Sequence, residues 1–297
     1  MPRRPEGGAV KVWIDGAIVD GPDAKIPVTD HGLLYGDGVF EGIRVYGGAV
    51  FRLADHLRRL AAGARAIGLE IPGGLPGVEK ILRATAIAYA APDAYIRLLV
   101  TRGDGELGVD PTSCTNPRIV CIVDEVRLYP EAKRKSGLDL ITSSLRKPNA
   151  DALDPRIKSL NYLNSVLAKR EARLAGADEA LLQNAAGRVA ETSVANVFVY
   201  RHGILRTPPA TDGALEGITR DSVLEIASEE GLGVRVESLG RFDLFDADEV
   251  FLTGTGARIV PVATLDGQPI GEPGVHPLTD RLSLAFTDYT RRHGSPL

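Results

Sequence analysis

Apolar and polar positions alternate along much of the chain. Val10 to Ile14 and Ala17 to Val19 flank Asp15-Gly16, a pair suited to a tight turn, and predict a hairpin. Val39 to Tyr46 and Ala49 to Leu53 flank Gly47-Gly48 and predict a second. Leu57, Leu60, Ala64 and Ile67 fall on one face of a helix from Asp55 to Ile67, with Asp55 as its N-cap. A second helix spans Gly77 to Ala90. The strand Ala94 to Thr101 carries Tyr95 and Arg97 on the same face. A loop from Arg102 to Pro111 leads to the strand Arg118 to Val123. From Val126 to Ser136 the pattern breaks at Arg127, Pro130 and Lys133-Arg134-Lys135, as a linker would.

Beyond it, Leu138 to Ser143, Ala180 to Gln183, Arg188 to Glu191 and Val194 to Tyr200 read as strands, with turns at Asn184 to Gly187 and His202-Gly203. Leu160, Leu163, Leu167 and Leu174 recur at helical spacing, with Lys169, Arg170 and Arg173 on the wetter side. The mixture predicts an α+β protein: a small N-terminal domain over 1–125, a linker over 126–136 and a larger C-terminal domain over 137–297.

Lys158 is the first candidate for chemistry. It stands among apolar and small polar residues where an extended segment is expected to turn into a helix, in a chain poor in lysine. Two readings are open: a flank that snorkels to water, or an amine kept neutral and ready to form a Schiff base. The glycine-dense stretch Asp30 to Arg44 suits tight turns or close approach to a ligand. Arg58 and Arg59 offer a phosphate ligand or a solvated face. Gly213 to Asp221 runs into a helix whose apolar side is Val223, Leu224, Ile226 and Ala227. Thr253 to Gly256 forms a Gly/Thr loop after the strand Glu249 to Leu252; both are candidate anion sites. A Schiff-base lysine with dispersed phosphate ligands suggests pyridoxal 5'-phosphate, which needs a partner at its ring nitrogen. Glu191 is the candidate; its alternative is an exposed strand-end glutamate.

Composition narrows the classes. A net charge of -4 leaves no basic footprint for nucleic acid. No apolar run approaches membrane-spanning length, and Met1 to Gly8 leads into no signal-type core. Cys114 and Cys121 fit a reduced cytoplasmic pair, and the five histidines show no metal-ligand spacing. Neither glycine-rich loop matches a Walker A or complete G-x-G-x-x-G pattern.

The order and spacing of Tyr35 to Arg44, His56 to Leu60, Tyr95 to Arg97, Ile157 to Tyr162, Val189 to Thr192, Glu216 to Arg220 and Thr253 to Gly256 carry a family likeness. From Val12 to about Phe286 the chain resembles the fold-type IV pyridoxal-phosphate aminotransferases, and among them the branched-chain amino acid aminotransferases most. The resemblance implies that Lys158 holds the cofactor and shuttles a proton. Tyr162, placed four residues on as if on one helix, would bond the cofactor's phenolic oxygen, and Glu191 would pair with its ring nitrogen. Arg59, Ile218, Thr219 and Thr255 would bind phosphate, and Leu215 would pack on the ring. Phe40, Tyr95, Arg97, Thr255 and Gly256 would meet substrate. Tyr35 and Val109 would come from a neighbouring subunit, making a homodimer or higher homo-oligomer.

The implied reaction is ping-pong transamination between branched-chain L-amino acids and 2-oxoglutarate, without a metal. D-amino acid or (R)-amine transamination, or elimination as in aminodeoxychorismate lyase, are the alternatives. Three features depart from the branched-chain pattern, the first being a pocket tryptophan that is replaced near Val126. Arg102 replaces a small or apolar residue, and the Tyr35-Gly36-Asp37-Gly38 form also occurs in D-amino acid enzymes.

Overall fold

The structure is a computed structural model that describes residues 9–297. The sequence reading at Met1 to Gly8 lies outside the described residues. The described chain divides into two units: residues 9–126, 157–161 and 290–297, and residues 127–156 and 162–289. The expected linker segment after residue 126 thus goes with the second unit. The Lys158 segment, expected in the C-terminal domain, goes with the first.

The first unit is built on a seven-stranded sheet. Its outer hairpin, Lys11–Ile14 with Ala17–Asp20, turns on Asp15 and Gly16, both at positive φ. That is the backbone a two-residue hairpin turn needs. Gly38–Tyr46 pairs antiparallel with Ala49–Phe51 on one side and Ala94–Thr101 on the other. Arg118–Asp124 joins Ala94–Thr101 to the first hairpin, and Gly294–Pro296 pairs along Ala49–Phe51. The helices Leu53–Ala66 and Gly74–Tyr89 contribute Leu57, Leu60, Val78 and Leu82 to a core with Ile43, Ile96 and Leu98. The first helix begins earlier than expected. Its N-cap is Arg52, and Asp55 lies in the first turn bonded to Arg52 and Arg58.

A short helix, His31–Tyr35, interrupts the glycine-dense stretch. Asp30 caps it by accepting from the Gly32 amide at 2.8 Å, and Gly36, in the left-handed region at φ 69°, ends it.

The second unit carries a nine-stranded mixed sheet. Leu138–Arg146 lies between two parallel neighbours, Glu179–Gln183 and Arg258–Leu265. Val189–Thr192 pairs with Glu179–Gln183, and Asn196–Arg201 with Glu249–Gly254. Leu138, Leu140, Val197, Val199, Val250, Leu252 and Val260 meet in its core.

The helix Leu163–Leu174 corrects the sequence reading. Its buried residues are Ser165, Ala168 and Ala172, whereas Leu163, Leu167 and Leu174 are exposed. Small alanines let the helix approach the sheet closely, and the leucine stripe turns outward. Among the described residues no helix is long and apolar enough to cross a membrane. Cys114 and Cys121 are free thiols, and burial pushes the latter up to about 12.

Candidate active site

In the first unit the Lys158 segment is extended. Phe40 donates its amide to the Lys158 carbonyl at 2.9 Å, and the Leu160 amide donates to Gly38 at 3.0 Å, so the segment runs as a short ladder on Gly38–Tyr46. Asn161 continues the attachment by donating to the Gly36 carbonyl at 2.9 Å. This backbone fixes Lys158 beside Phe40. Its Nζ stands 4.5 Å from the centre of the Phe40 ring. The helix starts only at Leu163, with Tyr162 at its N-cap, so Lys158 and Tyr162 do not share one helix as the four-residue spacing suggested.

Tyr95 and Arg97 lie on one face of Ala94–Thr101, as alternation predicts. The Arg97 guanidinium sits 4.7 Å from the Phe40 ring centre and 5.5 Å from that of Tyr95. Room for the Tyr95 phenol comes from Gly42, where a Cβ would fall 2.1 Å from the Tyr95 Oη. Lys158, Phe40, Tyr95 and Arg97 therefore form one cluster.

The structure distinguishes the two arginines of the helix Leu53–Ala66. Arg58 bonds Asp55 at the surface. Arg59 turns inward and forks onto Glu41, Nε to Oε1 and Nη2 to Oε2, both at 2.7 Å. His56 Nδ1 lies 2.8 Å from the same Glu41 Oε2. Burial alone would push the Glu41 carboxyl up, but Arg59 and His56 outweigh it and hold it at about 2. Burial also pushes His56 down, aided by the Arg59 and Lys158 charges. Glu41 and His56 were missed as site residues. Both stood in recognised motifs, but only tertiary contact reveals their pairing.

Tyr35 and Val109 lie together at an exposed edge of this unit. The Tyr35 hydroxyl accepts from the Gly108 amide at 2.8 Å, and its ring meets His31 edge-on. Val109 is 81% exposed. Arg102 is structural: it forks onto Asp37 and donates to the Ile67 and Gly68 carbonyls, both at 2.7 Å, closing the end of the helix Leu53–Ala66.

The second unit groups the remaining candidates. Glu191, on Val189–Thr192, is only 8% exposed, so the exposed strand-end alternative fails. Its Oε1 accepts from Lys147 at 2.7 Å. Its Oε2 accepts from the Leu215 amide at 3.1 Å and from Asn196 at 3.3 Å. Lys147 is a residue the sequence reading missed. Leu215 is half-buried beside Glu191 through that amide. Ile218 and Thr219 open the buried start of the helix Ile218–Glu229. Its first-turn amides have no acceptor within the helix. Gly217 caps it; a Cβ there would fall 2.0 Å from Asn196 Oδ1. Thr255 and Gly256 form the half-buried turn between Glu249–Gly254 and Arg258–Leu265.

Each unit by itself carries groups of the kind pyridoxal phosphate needs. The first unit supplies an amine beside an aromatic wall and an inward-turned guanidinium. The second supplies a fixed carboxylate with lone-pair capacity for a ring N–H, and a helix start with amides and a hydroxyl for an oxyanion. Among the described residues no cluster of His, Cys, Asp and Glu could hold a metal.

The chain is similar to known proteins in sequence and fold. The family model for amino-transferase class IV matches residues 38–265. A putative branched-chain-amino-acid aminotransferase of Methanocaldococcus jannaschii is 46% identical over 285 residues, covering 96% of this chain and 98% of that one. The crystal structure of the Escherichia coli branched-chain amino acid aminotransferase has a TM-score of 0.91 at 35% identity, with 95% of each chain covered. The branched-chain amino acid aminotransferase from Thermobaculum terrenum, in its PLP-form, has a TM-score of 0.85 at 30% identity, with 97% of this chain and 96% of that one covered. Such agreement in sequence and α+β architecture goes with the fold-type IV class read from the motifs. The chain belongs to the class IV aminotransferase family.

Proposed function

We propose that this protein is a pyridoxal-phosphate aminotransferase that moves an amino group between branched-chain L-amino acids and 2-oxoglutarate by a ping-pong cycle. The observation that carries this reading is the cluster of Lys158, Phe40, Tyr95 and Arg97, an amine, an apolar wall and a guanidinium on neighbouring backbone. The relatives' names support it. When bound, the cofactor supplies an electrophilic carbon and a ring that accepts the electrons of a broken Cα–H bond.

This chain's residues do the rest. Lys158 would hold the cofactor covalently and would be the group that carries a proton to and from the substrate Cα. Glu191 would keep the ring nitrogen protonated, Tyr162 would bond the phenolic oxygen and Leu215 would pack on the ring. Arg59, Ile218, Thr219 and Thr255 would hold the phosphate. The amides of Thr255 and Gly256 orient the substrate carboxylate. Phe40, Tyr162 and Val109 form apolar walls for aliphatic side chains, while Arg97 and the Tyr95 hydroxyl receive the second carboxylate of glutamate.

The working unit is a homodimer or larger homo-oligomer. Tyr35 and Val109 stand on an exposed edge, where a neighbour's pocket could receive them. Leu33, Leu107, Leu163 and Leu174 are exposed apolar side chains of the kind subunit contacts cover. The two free thiols agree with a cytoplasmic setting.

The test is the visible absorption of the purified protein during separate additions of L-leucine, D-alanine, D-glutamate and (R)-phenylethylamine. Bleaching of a yellow protein by L-leucine is expected. Bleaching only by a D-amino acid or the amine would replace the substrate assignment. A protein that stays colourless with added pyridoxal phosphate would remove the cofactor assignment. Lys158→Ala should lose the band and turnover while its circular dichroism is unchanged; full turnover would overturn the role of Lys158.

A further inference from the structure

The group beneath Arg59 has a property that its place in the phosphate set does not explain. Glu41 and His56 are fully buried, whereas the Arg59 side chain retains 15% exposure. Glu41 is ionised and His56 is neutral, given the opposing effects of burial and charge already described. His56 Nδ1 must then carry the hydrogen that Glu41 Oε2 accepts. His56 Nε2 has no hydrogen-bond partner, although it is buried. One carboxylate and one guanidinium cancel, so the trio is formally neutral. A bare positive charge is therefore not what Arg59 brings to a dianionic phosphate.

What the trio fixes is direction. The fork engages the Nε–H and one Nη2–H. Guanidinium is planar, so a two-point fork from an immobile carboxylate sets both the plane and the rotation of the group. The opposite edge, Nη1 and the second Nη2 hydrogen, is thereby aimed away from Glu41. Glu41 is itself locked twice, by its place on Gly38–Tyr46 and by His56.

We propose that Glu41, steadied by His56, is the positioning residue for Arg59, presenting its outer guanidinium edge to the phosphate of pyridoxal phosphate. This rests on the reading of Arg59 as a phosphate ligand. It makes a prediction whose sign opposes simple electrostatics. Removing an anion near a phosphate site should tighten binding if charge governs, and should loosen it if orientation governs.

The experiment measures dissociation constants of cofactor-free protein for pyridoxal 5'-phosphate and for pyridoxal, which lacks the phosphate, by fluorescence titration. Glu41→Gln is expected to weaken pyridoxal phosphate binding by about 10- to 100-fold, the size of a lost charge-assisted pair, and to leave pyridoxal within about twofold. Arg59→Met should show the same selectivity, and the double variant should lose little more than either single one. His56→Leu should weaken the phosphate form severalfold, and His56→Asn, which keeps a donor near Nδ1, should restore it.

A mere loss of packing would not discriminate between the two ligands. Equal or tighter binding of pyridoxal phosphate by Glu41→Gln, with Arg59→Met weak, would overturn the positioning role alone. An Arg59→Met protein that keeps the wild-type ratio of the two affinities would overturn the phosphate reading beneath it. If Glu41→Gln does not fold, the His56 pair decides: equal selectivity in His56→Leu and His56→Asn would refute the proposal.

Discussion

The ionised state of Glu41 can be tested through stability, independently of any ligand. Its carboxyl is held at about 2 against an ordinary value of 4.5. At about 1.4 kcal/mol per pH unit, that difference corresponds to about 3 kcal/mol of stability. Because the folded value is the lower one, the contribution is complete above about pH 4.5 and is lost as pH falls toward about 2. Glu41→Gln should therefore destabilise the protein by about 3 kcal/mol at neutral pH, within the range for breaking a buried ion pair. The gap should stay flat to about pH 5, then narrow at up to about 1.4 kcal/mol per unit.

His56 would blur this, because it also titrates and Glu41 raises it. The comparison is best made in a His56→Asn background, where residue 56 keeps a donor and carries no proton equilibrium. Trp13, the chain's single tryptophan, packs against the core of the first unit, so its fluorescence reports unfolding of the relevant part. Urea titrations of cofactor-free protein at one concentration, from about pH 7 to about pH 3.5, supply the numbers. A gap that remains constant through acid, or that widens, would refute an ionised Glu41 paired with Arg59.

Other expectations follow from the same geometry. Arg97→Ala should lower kcat/KM for 2-oxoglutarate by about 100-fold and for L-leucine by less than about fivefold, since only the dicarboxylate presents a second charge; equal losses in steady-state kinetics would assign Arg97 elsewhere. Lys147→Met leaves the buried Glu191 without its cation and should cost about 2–4 kcal/mol of stability, which Lys147→Arg recovers. Urea midpoints followed by circular dichroism check this, and an unchanged midpoint in Lys147→Met would contradict it. Gly42→Ala should displace the half-buried Tyr95 phenol rather than unfold the sheet, raising KM for L-leucine. In that background Tyr95→Phe removes the atom at 2.1 Å and leaves the next, Cζ, at 2.9 Å, so it should reduce the strain; identical melting temperatures for the two variants would show that the ring had already moved.

The parts of the fold legible in the sequence are those set by neighbours along the chain. Turns at Asp15-Gly16 and Gly47-Gly48 need backbone that their residues adopt readily, and the alternation in Ala94–Thr101 gave the shared face of Tyr95 and Arg97. Motif order singled out Lys158, Arg59 and Glu191 as candidates. What escaped was what holds them. His56 and Arg59 lie 15 and 18 residues from Glu41, and Lys147 lies 44 from Glu191. Such pairs form only when strands and helices have docked. The helical spacing from Lys158 to Tyr162 misled for a related reason. The extended Lys158 backbone is dictated by hydrogen bonds to Gly38 and Phe40, more than a hundred positions earlier, and these override local helical preference.

The inverted helix Leu163–Leu174 shows where pattern reading has an unstated premise. An apolar stripe predicts burial, but a sequence does not say whether the covering surface belongs to the same chain. Here Ala168 and Ala172 satisfy the fold's own packing, so the leucines do not stabilise this unit by burial within it. A stripe of exposed leucines costs solubility unless another surface meets it. The exposed Val109, whose loop is fixed through Gly108 to Tyr35, poses the same question in the first unit. The proposed oligomer would answer both together: apolar residues that look misplaced in one chain would become the interior of an assembly. The apolar spacing is real, and what the structure contradicts is its burial against this chain's own sheet.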